Sequence, residues 1–86
     1  MTSPARKEVA RAFGEALNEH LVGPPKLKRG NVAAAAQIAR SHLYKLSRGH
    51  EVPSLTVLIG LADALGVHPI QLMQRFLKKL GRPDAE

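Results

Sequence analysis

Apolar residues recur along this chain at the three- and four-residue spacing of a helix face, and no run alternates with the period of two that a half-buried strand needs. The pattern predicts an all-α chain. A first stripe, Val9, Phe13, Ala16, Leu17 and Leu21, follows Ser3 as cap and Pro4 as first-turn proline. It stops before Gly23-Pro24-Pro25, where two prolines remove two backbone donors and make a stiff connector. The second helix covers Val32 to Ala36 with Asn31 as its cap, or it starts near Arg29 and tolerates Gly30. A third runs from about Arg40 to Arg48 and stops at Gly49. Ser54 caps a fourth that buries Leu55, Leu58, Leu61, Ala62 and Leu65, is widened by Val57 and Ile59 into a central buried element, and closes at Gly66. The fifth opens at Pro69 behind a His68 cap, carries Ile70, Leu72, Met73, Phe76, Leu77 and Leu80, and ends at Gly81-Arg82-Pro83.

A chain of 86 residues has room for one small domain, expected over residues 1–82 with 83–86 as a frayed tail. No cysteine is present, which excludes disulfides, thiolate nucleophiles and Cys-based metal sites. Histidines 20, 42, 50 and 68 never fall three or four residues apart, so a helical metal pair is absent. The carboxylates are scattered, no phosphate-binding glycine loop occurs, and a helix points the neighbours Ser41 and His42 about 100° apart. These features argue against an enzyme and against a cofactor. The amino terminus lacks the apolar run of a signal peptide and no stretch reaches the length of a membrane span, which makes the cytoplasm the expected compartment.

Charge changes the picture. Thirteen Lys and Arg face seven Asp and Glu, and the stretch from Lys26 to His50 holds six of the cations and no acid. Such a balance calls for an acidic partner. Only Phe13, Tyr44 and Phe76 carry aromatic rings, too few for the stacking platforms that hold single strands, so duplex DNA is the expected partner. At about 100° per residue, Arg40, Ser41, Tyr44, Lys45 and Arg48 share an arc of about 140°, opposite Leu43 and Leu46. A charged surface helix is often only solvated, but this one contains no acid. Arg and Lys can donate to guanine N7 and O6, and Ser can meet several base edges or a phosphate.

From Leu27 to Leu72 the chain resembles the Cro/repressor-type (XRE-like) helix-turn-helix family. The match lies in Arg40-Ser41-His42-Leu43-Tyr44-Lys45-Leu46-Ser47-Arg48-Gly49, then Pro53-Ser54-Leu55 and Leu61-Ala62-Asp63-Ala64-Leu65-Gly66-Val67. The resemblance implies a five-helix lambda-repressor-like bundle that binds operator DNA. It places Val32, Ala33, Ile38, Leu43 and Leu46 between the two motif helices, with Gln37 at the turn. It puts Ala39, Arg40, Ser41 and Lys45 at the base-facing positions with Tyr44 close by, and these five are the expected base-contacting set. Arg48 and His50 match phosphate-contacting positions, to which Lys26, Lys28 and Arg29 are added from their charge. The chain departs from the family where Lys28-Arg29 replaces the usual Ser-Gln, where Gln37 replaces the glycine of the turn, and where Ser47 replaces an acid. The connector from Leu21 to Lys26 is also longer than usual.

The fifth helix has apolar residues over about 160° of arc, more than one packing partner requires. Leu72, Phe76 and Leu80 are therefore assigned to a two-fold homodimer contact, against the alternative that all its apolar residues lie in the monomer core. Arg75, Lys78 and Lys79 opposite that arc also suit a membrane surface, but no Trp marks an interface anchor, and no membrane partner is expected. The functional expectation is a sequence-specific transcriptional regulator, a dimeric repressor on an inverted repeat. A second class is the antitoxin of a toxin pair, which has a protein partner as well as an operator. A third is a nonspecific duplex binder.

Overall fold

The computed structural model describes residues 5–23 and 26–81. Five helices form: α1 (Arg6–Val22), α2 (Arg29–Ala36), α3 (Arg40–Ser47), α4 (Leu55–Leu65) and α5 (Pro69–Lys79). The Ser3 cap, Pro4, Pro24, Pro25, Arg82, Pro83 and the tail 83–86 lie outside the described residues. α1 opens at Arg6 behind an extended Ala5, two residues later than its proline suggests. α2 begins at Arg29 and carries Gly30 inside it, so Asn31 is a helical residue and not the cap.

The remaining ends follow local chemistry. Ser54 Oγ accepts from the Val57 N–H at 3.2 Å. His68 Nδ1 accepts from the Ile70 N–H at 3.1 Å while Gln71 Oε1 accepts from the His68 N–H at 2.9 Å, a reciprocal box that satisfies two orphan donors. α3 ends at Arg48, and α4 at a left-handed Gly66.

One hydrophobic cluster draws on every helix: Phe13, Leu17 and Leu21 of α1, Val32 and Ala33 of α2, Leu43 and Leu46 of α3, Leu58, Leu61 and Ala62 of α4, and Leu72 of α5. α1 packs on α3 and α5, while α2 packs on α3 and α4. Two expectations fail here. Leu55 is 72% exposed and Ile59 48%, so α4 is buried on one face and open on the other. Leu72 is wholly buried in this core and is not available to a second copy, which removes it from the dimer contact. α5 lies against α1 with Phe76 edge-on to Phe13, ring centroids 6.0 Å apart, and that packing turns Leu72 inward.

The tightest packing is between backbones. A Cβ at Gly14 would lie 2.9 Å from Gly49 N and Leu46 O and 3.0 Å from Ser47 O, so α1 crosses the end of α3 with no room for a side chain. Gly49 in turn has φ +77° and would meet Arg11 Cα at 3.0 Å. Across the other side of α1, Glu19 takes Arg75 at 2.7 Å and also Lys79, and these partners, Lys79 first, hold its carboxyl below the usual range. The neighbouring His20 has Nε2 buried without a hydrogen-bond partner among the described residues. Burial, and then the Arg75 charge, push its pKa down, against a smaller opposing pull from Glu19.

Ala in place of Gly ordinarily strengthens a helix interior by about 0.5–1 kcal/mol. Gly14→Ala should instead destabilise by about 1–3 kcal/mol, because the obstructing atoms are backbone, and urea denaturation measures the sign. A second expectation concerns acid. His20 is disfavoured as a cation in the folded state, so its contribution is complete above the unfolded value of about 6.5 and is lost as pH falls through the lower folded value. Unfolding free energy should therefore drop as pH is lowered below about 6.5, and His20→Leu should flatten that limb in melts across a pH series. Glu19 adds a separate loss at lower pH, below the ordinary carboxylate value.

Candidate nucleic-acid interface

α2 and α3 are joined by Gln37, Ile38 and Ala39. Gln37 adopts φ 60°, ψ 41°, the only positive φ at a non-glycine among the described residues. The turn thus keeps left-handed geometry without glycine, at about 1 kcal/mol for the Cβ. Its N–H donates to Ala34 O at 3.1 Å and the Ile38 N–H to Ala33 O at 3.0 Å, which closes α2, while the Gln37 side chain stays in solvent. Ile38 packs on the core, and Ala39, in extended backbone, opens α3.

Leu43 and Leu46 point inward and are 1% and 0% exposed, which fixes the rotation of α3. Ala39, Arg40, Ser41, Tyr44 and Lys45 come together on its exposed side, as the helical spacing predicts. Arg48 lies over the Tyr44 ring, 4.8 Å from its centroid, so the tyrosine is held by its neighbour as well as exposed. Arg40 rests beside Gly30 of α2, its Nε 3.6 Å from where a Cβ would stand. Lys26, Lys28, Arg29 and Arg40 line one open depression at the start of α2. His50 is exposed just past α3, its N–H bonded to Lys45 O at 2.9 Å.

Three positions have roles that sequence reading does not assign. Ser47 is 6% exposed; its Oγ donates to Tyr44 O at 3.0 Å and accepts from Arg29 Nη1 at 3.0 Å. Asn18 Nδ2 donates to Ser47 O at 2.8 Å, and Arg29 Nη2 donates to Asn18 Oδ1 at 3.3 Å. Arg29 thereby ties α1, α2 and α3 together, so two of its donors are spent inside the protein. Glu51 sets its carboxylate 3.2 Å from His42 Nε2 and 3.8 Å from Lys45 Nζ. Apart from the Ser47–Tyr44 bond within α3, none of these pairs has helical spacing, so periodicity cannot find them; the substitution of Ser for an acid at position 47 was the one visible signal. The remaining assigned residues, Phe76 in α5 and Leu80 at its carboxyl cap, are half-buried.

The helix-turn-helix family model matches residues 26–72. Among solved structures, the restriction-modification controller protein C.AhdI from Aeromonas hydrophila is 28% identical, with a TM-score of 0.67 over 73% of this chain and 94% of that one. The clp gene regulator ClgR from Corynebacterium glutamicum shares the fold at 20% identity and a TM-score of 0.78, covering 93% of this chain and 81% of its own. The restriction-modification controller protein C.Esp1396I shares it at 10% identity and a TM-score of 0.73, with 88% and 96% covered. No curated protein matches the chain. Among the described residues no single helix is long and apolar enough to cross a membrane.

The internal bonds of Arg29 separate it from Lys28. Arg29→Ala should lower stability by about 1–2 kcal/mol by leaving Ser47 Oγ and Asn18 Oδ1 without their donor, whereas Lys28→Ala should leave the melting temperature unchanged; calorimetry of the two variants checks this.

Proposed function

The chain belongs to the helix-turn-helix family and is a DNA-binding transcriptional regulator; on that premise we propose that it is a dimeric repressor, acting in the cytoplasm, that reads an inverted repeat with the outer face of α3. The observation that carries the proposal is the division of α3: leucines anchor one side, and the other presents Arg40, Ser41, Tyr44 and Lys45 to solvent with no acid on the helix itself. Residues 1–82 act as one domain, with no catalytic step and no cofactor. Arg40, Ser41 and Lys45 supply discrimination through base edges, with Ala39 and Tyr44 against them. Lys26, Lys28, Arg48 and His50 supply affinity through phosphates, and Arg29 adds to them with the donors its internal bonds leave over.

The dimer contact lies on α5. Its apolar arc runs from the buried Leu72 through Phe76, Leu80 and Leu77 to Ile70, which is 59% exposed, so the outer edge is what a second copy reaches. A two-fold dimer sets its two α3 helices about 34 Å apart, one turn of duplex. Likeness to a restriction-modification controller at 28% identity supports the regulatory assignment.

Selection of binding sites from random duplexes tests the whole reading. It should return an inverted repeat with half-site centres about one helical turn apart. On that site Arg40→Ala should lose about 1–3 kcal/mol and relax the preference at one base pair. Lys28→Ala should weaken all duplexes alike. Equal losses on selected and random DNA for Arg40→Ala remove the base-reading role, and recovery of asymmetric single sites removes the dimeric one.

A further inference from the structure

The crossing of α1 over the end of α3 has a consequence for charge. Gly49 sits 3.0 Å from Arg11 Cα by its missing Cβ, so the loop after α3 lies flat on α1 and the first turn of α1 stands beside it. Two adjoining depressions share Lys7, Gly49 and His50; Arg6 and Glu51 line one of them and Arg48 and Glu8 the other. Arg6 and Lys7 are exposed and make no ion pair among the described residues. The two nearest acids do not neutralise the cluster equally. Glu51 is turned to His42 and Lys45, whereas Glu8 remains as a single opposing charge on the rim. Arg11 is already engaged by Glu15.

We infer that Arg6 and Lys7, with Arg48 and His50, form a second backbone-phosphate clamp at the carboxyl end of α3. It stands opposite the cluster of Lys26, Lys28 and Arg40 at the amino end. A helix lying in a major groove has a phosphate strand on each side, and cations at both ends of that helix meet both strands. The ligand class is the phosphodiester backbone of duplex DNA, and the contact is independent of sequence. The start of α1, where Ala5 supplies no side-chain cap, adds the partial positive charge of a helix amino terminus in the same place. The inference rests on the duplex-binding reading above and extends its contacts to α1, which sequence reading leaves as a scaffold helix.

The test measures the salt dependence of affinity for a random-sequence duplex by fluorescence anisotropy, using the full chain. Arg6→Ala/Lys7→Ala should reduce the slope of log affinity against log salt by about 1–2 and lower affinity about tenfold at low salt, with the melting temperature unchanged. Lys28→Ala should reduce the slope by about 1. Lys78→Ala, which removes an α5 charge that lines none of the depressions of either cluster, should leave it unaltered. The clamp is overturned if the double variant keeps the wild-type slope while Lys28→Ala flattens it. It is equally overturned if Lys78→Ala flattens the slope as much per charge, since overall charge then explains the effect. If the unsubstituted chain binds no duplex, the regulator reading fails and the clamp fails with it.

Discussion

The backbone contact between Gly14 of α1 and the last turn of α3 is the constraint on which the other features hang. With no Cβ at position 14, α1 can come within van der Waals reach of Leu46 O, Ser47 O and Gly49 N, and a left-handed Gly49 lets the chain turn away without striking Arg11. That approach puts Asn18 within bonding distance of Ser47 O, and Arg29 then closes the set by bonding Ser47 Oγ and Asn18 Oδ1. The recognition helix is therefore held at its carboxyl end by polar bonds and along its length by Leu43 and Leu46 in the core. Two kinds of restraint fix its position: the leucines set its rotation, and the crossing sets its placement along its axis.

For the proposed function, holding α3 in this way matters because base reading depends on side chains that start from a defined backbone. Ordering long cations on binding costs about 0.5–1.5 kcal/mol per side chain. Several are partly ordered beforehand: Arg48 on the Tyr44 ring, Arg40 beside Gly30, and Lys45 near the Glu51 carboxylate. Among the described residues Glu51 is the acid paired with side chains of α3. It sits one residue past the acid-free stretch, and its attraction for Lys45 must be given up or shared when a phosphate or base competes. Under the proposed function, an acid placed there weakens attraction to any duplex and so favours sites where the base contacts compensate.

The sequence was most informative where physics is local. Helix ends at Ser54, His68, Gly66 and Gly49 were legible because capping and positive φ depend on a few adjacent atoms. The inner and outer sides of α3 were legible because rotation about a helix follows from spacing. Burial of the outer elements was not. Periodicity identifies an apolar arc but not how much of it a neighbour covers, which is why Leu55 is exposed on α4 and Leu72 is wholly buried on α5. Gln37 runs against its own preference: the closing bonds of α2 and the seating of Ile38 hold it left-handed where local propensity favours glycine.

By itself, then, the order of residues determined five helices, the turn between α2 and α3, and a cationic face on the second of them, since each follows from interactions within about one helical turn. Tertiary structure alone decided which cations work inside the protein and which face outward. Arg29 and Lys28 are neighbours of like charge, but packing aims Arg29 at Ser47 and Asn18 from two other helices. Arg6 and Lys7 are some forty residues from the recognition helix in sequence and beside its end in space. Such pairings arise from contacts across the fold, where the absence of one side chain, at Gly14, counts for as much as any charge.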